Sequence, residues 1–101
     1  MEVTINKKDS VTTALLTGRL DTPASQEISG DFDNLAQEAA GTIILDCSKL
    51  DYISSSGLRL FLSLRKAAAA KGGKVIVKAI NNDIRSVFMM TGFLNLFEIQ
   101  E

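Results

Sequence analysis

The chain has 101 residues, of which 46% are hydrophobic, with 11 basic and 12 acidic side chains and a net charge of −1. That is one domain's worth of core, and a balance with no basic excess to attract nucleic acid. There is no histidine and a single cysteine, Cys47, so Ser-His-Asp and Cys-His nucleophile systems are excluded and the usual metal sites lose their main nitrogen ligand.

The N-terminal segment, MEVTINKKDS, lacks the basic and then apolar pattern of a signal peptide. Lone Cys47 points to a reducing compartment, so a cytoplasmic location is expected. The richest apolar stretch, Leu58 to Ala70, is interrupted by Arg59, Ser63, Arg65 and Lys66 and is too short to span a bilayer. No membrane insertion, metal or cofactor is expected.

In chain order, Glu2 to Asn6 and Val11 to Thr17 are short β-prone runs separated by Lys7-Lys8-Asp9-Ser10, the pattern of an antiparallel hairpin without an Asn-Gly turn. Thr22 is placed to cap a following helix with Pro23 in its first position. From there Ala24, Ile28, Phe32, Leu35 and Ala39 share one helical face, with Gly30 as a bend or close contact and Gly41 as the stop. Ile43, Ile44 and Leu45 form an apolar strand of the central kind. Asp46 follows at its carboxyl edge, where α/β proteins place their sites, although aspartate is also an ordinary turn residue.

Three consecutive serines, Ser54 to Ser56, precede a long helix. One serine suffices to cap it, a contribution of about 1 kcal/mol. The exposed N–H groups and positive dipole end at such a position favour oxygen acceptors and phosphate. Arg59, Ser63, Lys66 and Ala70 fall on one face of this helix, while Leu58, Leu60, Phe61, Leu62 and Leu64 cover most of the remainder. An apolar arc that wide leaves two options, a helix enclosed on most sides or a leucine such as Leu58 or Leu62 kept as partner-binding surface.

Gly72-Gly73 ends the helix, and Lys74 to Lys78 alternates as a strand whose Val75 and Val77 side is the better covered. Asn81 or Asn82 caps a last helix carrying Ile84, Val87, Phe88 and Met89, with Gly92 after its end and Met89 and Met90 read as packing residues. Phe93 to Ile99 completes the chain as a short helix or an edge strand. The order predicts a single α/β domain over 1–101: a mostly parallel mixed sheet of four to five strands, the first antiparallel at an edge, with helices mainly on one face.

Gly18-Arg19-Leu20-Asp21, Ile44-Leu45-Asp46, Leu50-Asp51-Tyr52-Ile53-Ser54-Ser55-Ser56-Gly57-Leu58, Gly72-Gly73 and Phe88-Met89-Met90-Thr91-Gly92-Phe93 together resemble the STAS domain of bacterial anti-sigma factor antagonists, over essentially the whole chain. The resemblance implies a binding module and not an enzyme. It implies that Ser55 is phosphorylated by an anti-sigma factor serine kinase, with Ser56 as second choice, and that a serine phosphatase reverses the modification. Ser54, Ser56, Gly57, Leu58, Asp21 and Asp46 would surround the site. Unmodified, the domain would sequester the kinase; phosphorylated, it would release it. Ser54 stands where the family usually has aspartate, which removes one negative charge beside Ser55. A second reading keeps the fold without the switch, as a constitutive scaffold or subunit of a lipid-transport or stress-signalling assembly. In either case a monomer or weak dimer is expected.

Overall fold

A computed structural model describes residues 1–101. The elements run β1 Glu2–Lys8, β2 Val11–Leu20, α1 Thr22–Glu27, α2 Ser29–Gln37, β3 Thr42–Ile53, α3 Ser55–Lys71, β4 Lys74–Lys78, α4 Asn82–Thr91, a single 3-10 turn at Phe93–Asn95, and β5 Glu98–Gln100. The five strands lie in one sheet in the order β1-β2-β3-β4-β5. β1 is antiparallel to β2, and every other neighbouring pair is parallel. The expected mixed sheet with its antiparallel edge is therefore present.

The β1–β2 turn lacks Asn-Gly, but Asp9 supplies the left-handed residue at φ 57. Aspartate tolerates that conformation better than most residues. Along β2 and the first half of β3, Ala14, Leu16, Ile43, Leu45 and Cys47 are buried while their neighbours are only half-buried. This period of two turns one face toward the helices. The residues buried from α1, α2, α3 and α4 join that face in a single core cluster. Ile76 is also buried, but outside the cluster, on the helix-free face between Ile44 and Glu98.

Four local expectations are corrected. Asp21, not Thr22, caps α1: its Oδ1 accepts from Ala24 N–H at 3.0 Å, which shifts Pro23 one place into the helix. The helix expected over Ala24 to Ala39 is two helices, broken at Ile28 (φ −99, ψ 6) and not at Gly30, and α2 ends at Gln37, before Gly41. Ile28, Phe32 and Leu35 stay buried across the break, so the apolar stripe is continuous although the hydrogen-bond ladder is not. Gly41 instead admits the backbone of Ser10, whose carbonyl accepts from Thr42 N–H at 2.9 Å. Met89 and Met90, read as packing residues, are 64% and 80% exposed, because α4 turns Ile84 and Phe88 inward and these two outward.

The fourth correction bears on function. β3 does not end at Leu45; it runs for twelve residues, from Thr42 to Ile53. β4 pairs only with its first part, as far as Asp46 opposite Lys78, while β2 follows it to the end. Two register shifts against β2 place extra residues on β3, and its buried positions change from alternate residues to Cys47, Leu50 and Ile53. Bulges of this kind bend and twist the strand. Here they carry its end beyond the sheet centre to the start of α3.

Cys47 lies on the helix-covered face and is 1% exposed. Burial, with a smaller contribution from the neighbouring Asp46 carboxylate, pushes its thiol up to about 12 from an ordinary 9.0. Native Cys47 is expected to react with a thiol reagent at pH 8 at least about a hundredfold more slowly than the unfolded chain. Because the unfolded thiol ionises near 9.0 and the folded one near 12, the contribution of this group to stability is complete below pH 9 and falls between those values. Urea titrations across that interval measure the fall.

Candidate functional site

The ends of β2 and β3 are joined by a hydrogen bond from Ser54 N–H to Leu20 C=O at 2.8 Å. From this junction two helices start side by side: α1 after Asp21 and α3 after Ser54. Each begins with a side-chain cap. The Asp21 carboxylate accepts from Ala24 N–H, and Ser54 Oγ accepts from Gly57 N–H at 3.2 Å. Ser54 therefore does at α3 what aspartate does at α1, without a charge.

Ser55 is the first residue of α3 and is exposed. Its two neighbours have engaged hydroxyls. Ser54 holds the cap, and Ser56 Oγ lies 3.5 Å from both Thr22 Oγ1 and Arg59 Nη2. The Ser55 hydroxyl has no such tie. Gly57 is buried beneath the turn, and a methyl group there would come within 2.7 Å of Leu20 Cγ and 2.9 Å of Ile53 Cγ1. Absence of a side chain is what lets α3 begin this close to the sheet edge.

Of the expected surround, the structure brings together Asp21, Ser54, Ser56 and Gly57. It leaves out two residues. Leu58 is 8% exposed and packs in the core, so the broad apolar arc of α3 is an enclosed helix at that point. Asp46 lies within β3, seven residues before Ile53 and on the face opposite the helices, where its Oδ1 accepts from Ser48 N–H at 3.0 Å. Continuation of β3 through its bulges separates Asp46 from the serines.

Arg59 and Tyr52 are neighbours that the sequence reading did not assign to the site. Arg59 reaches Ser56 because residues three apart share a helical face. Tyr52, 41% exposed, carries the Arg19 guanidinium over its ring at 4.4 Å. Arg19 and Tyr52 line a groove of about 170 Å³ with Asp51, Ile53, Asp83, Ile84 and Val87. Pockets for drug-sized ligands span roughly 300–1,000 Å³, and this groove is smaller than that. No group of three or more Cys, Asp or Glu residues is arranged to hold a metal, and no helix is long and apolar enough to cross a membrane.

A serine presented at a helix start, close to a shallow groove, is the candidate site of this small α/β domain. The chain belongs to the STAS domain family, whose model matches residues 2–101. BtrV of Bordetella bronchiseptica, named as a candidate anti-sigma factor antagonist, is 28% identical over 98% of this chain and 85% of its own. The fold is similar to that of a candidate anti-sigma factor antagonist from Thermotoga maritima, with TM-score 0.89 and 18% identity over 98% of this chain and 86% of the other. It is also similar to the anti-sigma factor antagonist SpoIIAA. The unphosphorylated form matches with TM-score 0.75 and 22% identity over 99% and 87% of the two chains. The phosphorylated Bacillus form matches with TM-score 0.75 and 23% identity over 97% and 90%.

Proposed function

We propose that this protein is an anti-sigma factor antagonist: a binding module that sequesters an anti-sigma factor serine kinase while Ser55 is unmodified and releases it when Ser55 is phosphorylated. The observation that carries this reading is the placement of Ser55, exposed at the start of α3 between two serines whose hydroxyls are already held. Relatives named as anti-sigma factor antagonists, one of them solved in a phosphorylated form, support it.

The physics of the switch follows from the position. A phosphate on Ser55 adds about −1.5 to −2 charges. The free N–H groups and dipole of α3 stabilise that charge, and Arg59, one turn further along the helix and 3.5 Å from Ser56 Oγ, adds a cation nearby. The fold therefore tolerates phosphate. A partner seated over the serine does not, because its complementary surface would have to desolvate a dianion. A serine phosphatase then restores binding.

Ser54 in place of the family's aspartate favours the alternative of a constitutive scaffold, since the local charge beside the acceptor is lower. Incubation with the cognate serine kinase and ATP, followed by intact-mass measurement, distinguishes the two. One phosphoryl group is expected on the native chain and none on Ser55→Ala. Ser55→Asp is expected to weaken kinase binding at least about tenfold, equivalent to about 1.4 kcal/mol, with an unchanged circular-dichroism melt. Labelling of Ser55→Ala at a single site would move the acceptor elsewhere. A native chain that binds the kinase but takes up no phosphate establishes the scaffold.

A further inference from the structure

The sheet has two open edges, and they differ. β5 offers three residues, Glu98–Gln100, whereas β1 offers seven, Glu2–Lys8, of which six are exposed. The two-residue turn at Asp9-Ser10 closes on the Lys8–Val11 pair. Such hairpins close on a hydrogen-bonded pair and alternate from there, so Glu2, Thr4, Asn6 and Lys8 bond inward to β2. The N–H and C=O groups of Val3, Ile5 and Lys7 point away from the sheet. An edge of this length is a template for another strand.

Its side chains specify which strand. Glu2, Thr4, Asn6 and Lys8 lie on the helix-free face, and Val3, Ile5 and Lys7 lie on the helix side, where Ile5 is left 42% exposed. Lys7 is paired with Glu38. Glu2 and Lys8 belong to none of the chain's ion pairs. The strand thus carries an uncommitted acid at one end and an uncommitted base at the other, on the same face, with an exposed isoleucine midway between them.

We propose that two copies of this chain associate as an isologous dimer through β1, antiparallel, with the two-fold axis at Ile5. In that register Glu2 of each copy faces Lys8 of the other, Thr4 faces Asn6, and Ile5 packs on Ile5. Val3 and Lys7 exchange backbone hydrogen bonds on either side, about six in all counting the Ile5 pair. Neighbouring registers are poorer. Centring on Thr4 sets Glu2 against Asn6 and leaves Lys8 without an acid, and centring on Asn6 sets Ile5 against Lys7. The dimer extends the sheet from five strands to ten and leaves both copies of Ser55, two strands inward at the β3–α3 junction, accessible to a partner.

One strand pair buries less than the roughly 1,200 Å² of a tight interface, so the dimer is weak, with Kd on the order of 100 μM. Sedimentation equilibrium of the intact chain from about 10 μM to about 1 mM is expected to show monomer passing to dimer. E2K and K8E each turn two attractive cross-strand pairs into repulsive ones and are expected to raise Kd at least about tenfold. The double variant E2K/K8E restores both pairs and is expected to return Kd to within about threefold of the native value. Both positions are exposed, so circular dichroism of the variants should match the native chain. A monomer throughout the concentration range, a dimer insensitive to the single changes, or a double variant that fails to recover would each overturn the proposal.

Discussion

Phe61→Ala is expected to destabilise the protein by about 3–5 kcal/mol. Phe61 is fully buried on α3. Its ring stacks on Phe32 of α2 at 5.9 Å between centroids and meets the edges of Phe88 of α4 at 6.3 Å and Phe97, before β5, at 6.4 Å. One side chain therefore fastens two helices and the C-terminal segment to the helix that presents Ser55. Removing it takes away the transfer energy of the ring and leaves a cavity that three other phenylalanines cannot close without leaving their own contacts. The urea midpoint should fall with little change in slope. For a domain of this size the melting temperature should drop by at least about 12 °C. A loss below about 1.5 kcal/mol would show that the surrounding rings collapse into the space.

Gly73→Ala is expected to be nearly as severe, at about 3 kcal/mol, the upper end of the usual range for overpacking. A methyl group at Gly73 would overlap the carbonyl oxygens of Ala39 and Gly41. Those atoms belong to backbone held by a neighbouring contact, since Lys74 N–H bonds Gly41 C=O at 3.1 Å. Gly57 is an instructive comparison. There the added methyl meets buried side-chain atoms of Leu20 and Ile53, which have more freedom to shift than a hydrogen-bonded backbone carbonyl, and alanine recovers about 1 kcal/mol of helix propensity over glycine. Gly73→Ala should therefore lower the urea midpoint more than Gly57→Ala. The reverse order would mean that the Ala39–Gly41 backbone yields more readily than the buried Leu20 side chain.

Much of the candidate site was legible because its determinants are local. Ser54 caps α3 as a serine before an apolar-periodic run should. Asn81 caps α4, its Oδ1 accepting from Ile84 N–H at 2.8 Å, and Gly72 and Gly92 end their helices at φ 79 and 80. The exposure of Ser55 follows from its being the first residue of a helix whose inward positions belong to Leu58 and Phe61. Asp46 was misplaced because a polar Asp-Cys-Ser-Lys stretch after an apolar strand reads as a loop, and nothing within those residues reveals that β2 continues to pair with them across two register shifts. Met89 and Met90 were misread for a similar reason. Methionine suits a core as well as a surface, and the direction α4 faces is set by what Ile84 and Phe88 pack against.

By itself the sequence determined the order of the principal strands and helices, the antiparallel first strand, the helix ends at Ser54, Asn81, Gly72 and Gly92, and the position of Ser55 at a helix start. These depend on hydrogen bonds and periodicities spanning a few residues, where the chain is its own environment. Only the tertiary structure decided how far β3 runs, which aspartate stays beside the serines, which leucine is enclosed and which methionines are not. Each of those outcomes rests on groups distant in sequence, since a strand exists only where another pairs with it and a side chain is buried only where another element covers it.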